Sequence, residues 1–148
     1  MVLVKHVLDT ARKRLATLSP QAGVCDAAAI LTNAETPLIV VCDGDGIALG
    51  VISRTDVVKT LVGATAAALD TRAEAMMTRT VLTCQRDQPL QDAWKSMNAR
   101  LLRCAPIIDD NGRPLGVLHA RDVARALLEE ATYEELLLRD YVLGIGYQ

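Results

Sequence analysis

Gly50-Val51-Ile52-Ser53-Arg54-Thr55-Asp56-Val57 returns later in the chain as Gly116-Val117-Leu118-His119-Ala120-Arg121-Asp122-Val123, each residue 66 positions after its counterpart, as Asp122 follows Asp56. Without a gap, the same offset superposes Asp26-Ala27 on Asp92-Ala93, Asp43 on Asp109, Gly46 on Gly112, Leu49 on Leu115 and Leu61 on Leu127. An octet repeated by chance does not carry its flanks along in register. The sequence is therefore two copies of one structural unit.

Outward from the octet, the unit reads in order. Each copy opens with a short extended stretch, 15–19 and 80–84. A helix follows, because Val24, Ala27, Ala28 and Leu31 recur at helical spacing, as do Leu90, Ala93, Trp94 and Met97. The apolar runs 38–42 and 105–108 have strand length. Asp43-Gly44-Asp45-Gly46 and Asp109-Asp110-Asn111-Gly112 then turn each run into a glycine strand, 49–52 or 115–118. Helical periodicity resumes over 55–62 and 121–128. This predicts an α+β fold: two β-α-β-β-α repeats packed sheet to sheet with pseudo-two-fold symmetry, since so small a unit cannot bury its core alone. The first repeat with its lead-in takes residues 1–69, the second takes 70–130, and 131–148 form a helical tail, the two repeats making one globular unit. Between the repeats, 64–69 is expected to extend the preceding helix and 73–77 to form a short one, with 4–9 in the equivalent place before the first copy. Arg12-Lys13-Arg14 reads most simply as a solvated turn, with a place near bound phosphates as the other option.

At 148 residues the chain suits one compact domain, able to bury roughly 70% of the surface its unfolded form exposes. Half of it is hydrophobic, yet no run approaches the roughly 20 apolar residues of a membrane span. Met1-Val2-Leu3-Val4-Lys5-His6 lacks the build of a signal peptide, so no membrane partner and a cytoplasmic location are expected. Cys25, Cys42, Cys84 and Cys104 form no CxxC pair and do not align with one another, so they read as small reduced core side chains. The net charge of −2 disfavours a nucleic-acid partner, and the absence of Phe disfavours an RNA-stacking platform.

The doubled Gly-h-h-x-x-x-Asp element (h, hydrophobic), Pro106-Ile107-Ile108-Asp109 before the turn and the Met76-Met77-Thr78 lead-in occur in this order. Together they resemble paired cystathionine β-synthase (CBS) domains, also called a Bateman module, from Val4 to about Glu130, in the manner of a stand-alone bacterial CBS-domain protein. The resemblance implies a regulatory module that binds an adenosine-containing ligand in clefts between its repeats: AMP, ADP or ATP foremost, or NAD or S-adenosylmethionine. It also implies a homodimer, often flat and disc-like in the family.

The residues fit that chemistry on their own terms. Ser53 and Asp56 flank a helix start, where free N–H groups and the positive dipole end attract a phosphate. The Ser53 hydroxyl suits a phosphate oxygen, and the Asp56 carboxylate suits both hydroxyls of a ribose. Gly50 lets a ligand or a neighbouring strand approach the backbone. Ser53 and Asp56 also fit a helix-capping box that needs no ligand, and the two roles are compatible. In the second copy His119 replaces Ser53 while Asp122 remains. Its imidazole either bonds a phosphate or closes the pocket, and its charge responds to pH near neutrality. Arg103 aligns with Pro37 and stands three before Pro106, where a basic residue reaches phosphates in ligand-binding relatives; a solvated arginine is the other option. Arg54 and Arg121, ahead of the two aspartates, either neutralise phosphate charge or are exposed first-turn residues.

No Gly-x-Ser-x-Gly elbow, P-loop or HExxH occurs, and His6 and His119 have no recognisable nucleophile or metal partner in sequence. The chain is therefore expected not to be an enzyme and to have no catalytic residue, metal site or catalytic cofactor. It is expected to sense an adenosyl ligand and report it to a partner protein, unidentified in the sequence; the alternative is a ligand-free dimerisation or interaction module with a vestigial pocket. In the tail, Tyr133, Leu136, Leu137 and Tyr141 share one helix face that Gly144 and Gly146 would end. That face either folds back over its own domain or meets its copy across a two-fold dimer.

Overall fold

The structure, a computed structural model, describes residues 1–62 and 66–146, with side chains described as far as Leu143. Each repeat is built on a hairpin. β2 (Leu38–Cys42) pairs antiparallel with β3 (Ala48–Ser53), and β4 (Cys104–Ile108) pairs with β5 (Pro114–His119). The registers Val40↔Val51 and Pro106↔Val117 are equivalent under the 66-residue offset, as are the irregularities at Val41/Cys42 and Ile107/Ile108. The turns repeat as well. Gly46 and Gly112 take φ of 81° and 84°, a region open to glycine. Asp43 Oδ1 accepts from the N–H groups of Asp45 and Ile47, and Asp109 Oδ1 from those of Asn111 and Arg113, so the aspartates brace the turns.

β1 (Thr17–Leu18) adds a parallel strand beside β2, with Leu18 opposite Val41. Its counterpart in the second repeat shrinks to a single bridge, Cys84↔Ile107. The reason is Pro106. In the first repeat the Val40 N–H donates to Ala16 O at 2.9 Å, and the proline in the same place has no N–H to give.

α2 (Val24–Leu31) and α5 (Leu90–Ala99) bury the predicted faces, with Val24, Ala27 and Leu31 inside one core and Leu90, Ala93 and Met97 inside the other. The two sheets meet through Leu38, Val40 and Val117, the sheet-to-sheet packing expected of the repeats. Each lead-in, however, packs on the opposite repeat. The 3₁₀ turn Val4–Val7 and α1 (Leu8–Arg12) place Val4, Leu8 and Ala11 in the core with Leu90, Met97 and Leu118. α4 (Ala73–Met76) places Ala73, Met76 and Met77 in the core with Val24, Ile39 and Ile52. The exchange is pinned by Val4 N–H to Gln88 O at 2.9 Å and Ala73 N–H to Ala22 O at 2.7 Å.

Three expectations change. α3 (Arg54–Leu61) does not extend through the linker: Val62 is already extended at ψ 126°, and a separate 3₁₀ turn covers Ala66–Asp70. Residues 64 and 65 of that expected extension lie outside the described residues. The last helix, α6 (Ala120–Gly146), runs without a break instead of stopping at Leu128, because Glu129-Glu130-Ala131 are good helix formers. Its tail therefore does not fold back over the domain, and Tyr133 and Tyr141 stay 62% and 67% exposed. Among the cysteines, Cys84 is buried, but Cys25 is exposed on α2 rather than in the core. Among the described residues no helix is long and apolar enough to cross a membrane.

Candidate functional site

The site begins where a lead-in crosses a sheet. A Cβ on Gly50 would stand 2.7 Å from Thr78 O and 2.9 Å from Met77 Sδ. On Gly116 it would stand 2.8 Å from the Ala11 carbonyl carbon and 2.9 Å from its oxygen. Both glycines thus admit a crossing backbone, the neighbouring-chain role among those open to Gly50. On the first crossing, Thr78 and Val51 exchange backbone hydrogen bonds of 2.8 and 3.0 Å.

That crossing brings Thr78 to Asp56, at the start of α3. The Thr78 hydroxyl donates to Asp56 Oδ1 at 3.3 Å, while the Ser53 N–H and hydroxyl donate to Oδ2 at 2.8 and 3.1 Å. The Asp56 N–H returns a bond to Ser53 Oγ at 3.3 Å, so the capping box is formed. Three donors hold a half-buried carboxylate in one orientation. It faces a cavity of about 330 Å³, whose walls include Leu38, Val51, Thr80, Val81, Leu82 and Leu102. Aliphatic walls, two hydroxyls at a helix N-terminus and a fixed carboxylate are the groups a base, a phosphate and a sugar diol require.

An adjoining hollow of about 460 Å³ shares Leu38, Ser53, Thr55, Leu102 and Cys104 with that cavity, and adds Arg54, Arg103 and His119 to its walls. Arg103 and His119, from the second repeat, therefore stand across from Ser53 of the first. The Arg54 guanidinium lines this hollow but donates to three carbonyls, Leu31 at 3.1 Å, Asn33 at 2.8 Å and Thr36 at 3.0 Å, and so clamps the loop between α2 and β2. Arg121 is exposed, and its backbone N–H donates to His119 Nδ1 at 3.0 Å. His119 thus supplies the side-chain acceptor at the start of α6 that Ser53 supplies for α3. With Nδ1 accepting, a neutral ring carries its proton on Nε2. Burial lowers the His119 pKa, Arg121, Arg14 and Arg103 lower it further, and Asp122 opposes them. Burial also pushes the Cys104 thiol up to about 11, against the pull of Arg14, Arg103 and Arg121.

The second aspartate sits differently. Asp122 is 7% exposed and forms an ion pair with Arg14 Nη2. The two side chains are 9% and 12% exposed, so this is a buried pair. Arg12 and Lys13 are solvated, as the basic cluster was expected to be, but Arg14 is not. It is the residue that sequence reasoning missed. The signal was present, because the 66-residue offset places Arg14 opposite Thr80, a wall of the first cavity. Among the described residues, no group of three or more His, Cys, Asp or Glu side chains is placed to hold a metal.

Residues 4–63 and 73–129 each match the CBS domain. The chain is 30% identical, over 144 residues, to an uncharacterized 17.7 kDa protein of Acidianus ambivalens, covering 97% of this chain and 86% of that one. It is 26% identical, over 121 residues, to the homoserine O-acetyltransferase of Methanococcoides burtonii, where it spans 82% of its own length but 24% of the enzyme's. The CBS domain pair of protein MJ0100, solved in complex with 5′-methylthioadenosine and S-adenosyl-L-methionine, is similar in structure with a TM-score of 0.72 at 26% identity, covering 88% of this chain and 98% of that chain. Two matched copies, interlocked through exchanged lead-ins and packed sheet to sheet, place the chain in the CBS-domain family as a tandem CBS pair.

Proposed function

We propose that this chain is a regulatory module that binds an adenosine-containing ligand in the cleft at Asp56 and passes the signal to a partner protein. The observation that carries the reading is the Asp56 carboxylate, fixed by Ser53 and Thr78 at the wall of a cavity of about 330 Å³. Its roles follow from chemistry. Asp56 takes the ribose hydroxyls, Val81, Leu82 and Leu102 flank the base, and Ser53 and Thr55 meet the first phosphate at the start of α3. Arg103 and His119 lie beyond, in the adjoining hollow, where further phosphates would extend. This favours AMP, ADP or ATP, and the solved CBS pair of MJ0100 with two adenosyl compounds supports the wider class. Ligand in the cleft would bridge groups of both repeats and favour one arrangement of them, which a partner then reads. The reading includes a homodimer that uses the exposed face of α6 and a cytoplasmic location, where adenine nucleotides are made.

A second reading, a ligand-free interaction module, draws on the same geometry. The Ser53–Asp56 box satisfies itself without a ligand, and Leu136, Leu137 and Tyr141 leave an apolar face on α6. Thermal-shift titration against AMP, ADP, ATP, NAD and S-adenosylmethionine, with GTP as control, separates the two. Ligand at 100 times its Kd adds about 2.7 kcal/mol, a rise of several degrees for a domain of this size. The sensor predicts a shift with an adenosyl compound that is lost in Asp56→Ala. A flat panel at millimolar ligand would favour the interaction module.

A further inference from the structure

The two clefts are delivered by equivalent crossings. Ala11-Arg12 lies against Gly116 as Met77-Thr78 lies against Gly50, so position 14 comes to Asp122 as position 80 comes to the cavity beside Asp56. There the symmetry ends. Thr80 is short and borders open space, and among the described residues the hydrogen bonds to Asp56 come from hydroxyl and amide donors, Arg100 on the same cavity wall being exposed. Arg14 is long and cationic, and its guanidinium lies on Asp122. Among the described residues, its Nη1 and Asp122 Oδ2 are both buried without a hydrogen-bond partner, so charge pairing is what joins the two side chains.

From this we infer that Arg14 is a tethered counter-ion seated in the sugar-binding place of the second cleft, and that it limits the chain to one adenosyl ligand, bound at Asp56. The inference rests on the adenosyl reading above. The Asp122 carboxylate, which would have to accept a ribose diol, is already paired in charge with a buried guanidinium. A ligand entering there must separate the pair and leave Arg14 uncompensated among Cys104, His119 and the neighbouring Arg103 and Arg121, all of which feel its charge or add to it. Separating a buried pair lowers affinity by roughly a hundredfold or more relative to an open site. Arg14, rather than the loss of the Ser53 hydroxyl at His119, is therefore the determinant that silences the second copy.

Arg14→Thr installs the residue of the open cleft. Calorimetric titration with AMP, ATP and S-adenosylmethionine should give one site per chain in the wild type, none in Asp56→Ala, and two in Arg14→Thr. The Asp56→Ala/Arg14→Thr double variant should regain a single site. Two sites in the wild type, or no second site in a folded Arg14→Thr, would overturn the proposal. A wild type that binds none of the three compounds refutes the adenosyl reading instead, and the plug is then judged by a readout without ligand. In ¹⁵N spectra the Arg14 guanidinium protons should exchange slowly with water and lose that protection in Asp122→Asn. Free exchange in the wild type overturns the closed cleft whatever the titration shows.

Discussion

Asp56 and Asp122 stand at the same place in the two repeats, each in the first turn of a helix that leaves the glycine strand, and they live in different surroundings. Asp56 is half-buried beside a hollow and is held by hydroxyl and amide donors. Asp122 is buried beneath a guanidinium. Within the octet, Ser53 gives its aspartate a hydroxyl donor where His119 gives none. The larger difference is position 14 against position 80, on crossing segments that belong in sequence to one repeat and in space to the other. A duplicated unit can thus keep both of its acids and specialise by one residue on each lead-in, one acid left open and the other tied into the core.

The contrast predicts that one substitution, made in each copy, has opposite consequences. Asp122→Ala leaves Arg14 buried without a partner and should cost about 3 kcal/mol in chemical denaturation while leaving ligand binding in place. Asp56→Ala removes a capping interaction, costs about 1 kcal/mol, and abolishes ligand binding. Equal stability losses would break the comparison.

The glycines test its symmetric part. Gly50→Ala and Gly116→Ala each drive a methyl into backbone at under 3 Å, so both should lose about 1–3 kcal/mol, the two values agreeing within about 1 kcal/mol. A tolerated Gly116→Ala would mean that the second crossing is loose and Arg14 poorly seated.

The smallest effect is a pH dependence that His119 introduces in the second copy. The folded pKa of His119 lies below the ordinary 6.5, so the unfolded chain binds the extra proton first. His119 therefore contributes stability that is complete above about 6.5 and is lost as pH falls toward the folded value. The decline in Tm between pH 7 and 5 should be shallower in His119→Asn, which keeps an acceptor but does not titrate. Ser53, in the same place of the first copy, adds no such dependence.

Much of this was legible in the residues because a repeat supplies its own control. Hairpins, turns and the buried faces of α2 and α5 follow from local patterns that appear twice. Asp56 and Ser53 were visible as a site because capping and ligand contact use the same atoms. The exchange of lead-ins was not legible, since Val4-Lys5-His6-Val7 and Ala73-Glu74-Ala75-Met76 are apolar enough to close either core, and only the chain's path decides which. Arg14 was missed for the same reason. Beside Arg12 and Lys13 it reads as one more surface cation, and only its alignment with Thr80 sets it apart. The tail was read as a helix, but its continuity with the helix of the second repeat was missed, because the repeat's pattern ends before Ala131 while Glu129-Glu130-Ala131 carry the helix across that point.

The most direct test of the central claim is a crystal structure of the wild-type chain grown with whichever adenosyl compound gives the largest thermal shift. The account predicts one molecule per chain, its ribose hydroxyls on the Asp56 carboxylate and Arg14 still paired with Asp122. A ligand on Asp122 with Arg14 displaced, or a ligand that leaves Asp56 untouched, would contradict it.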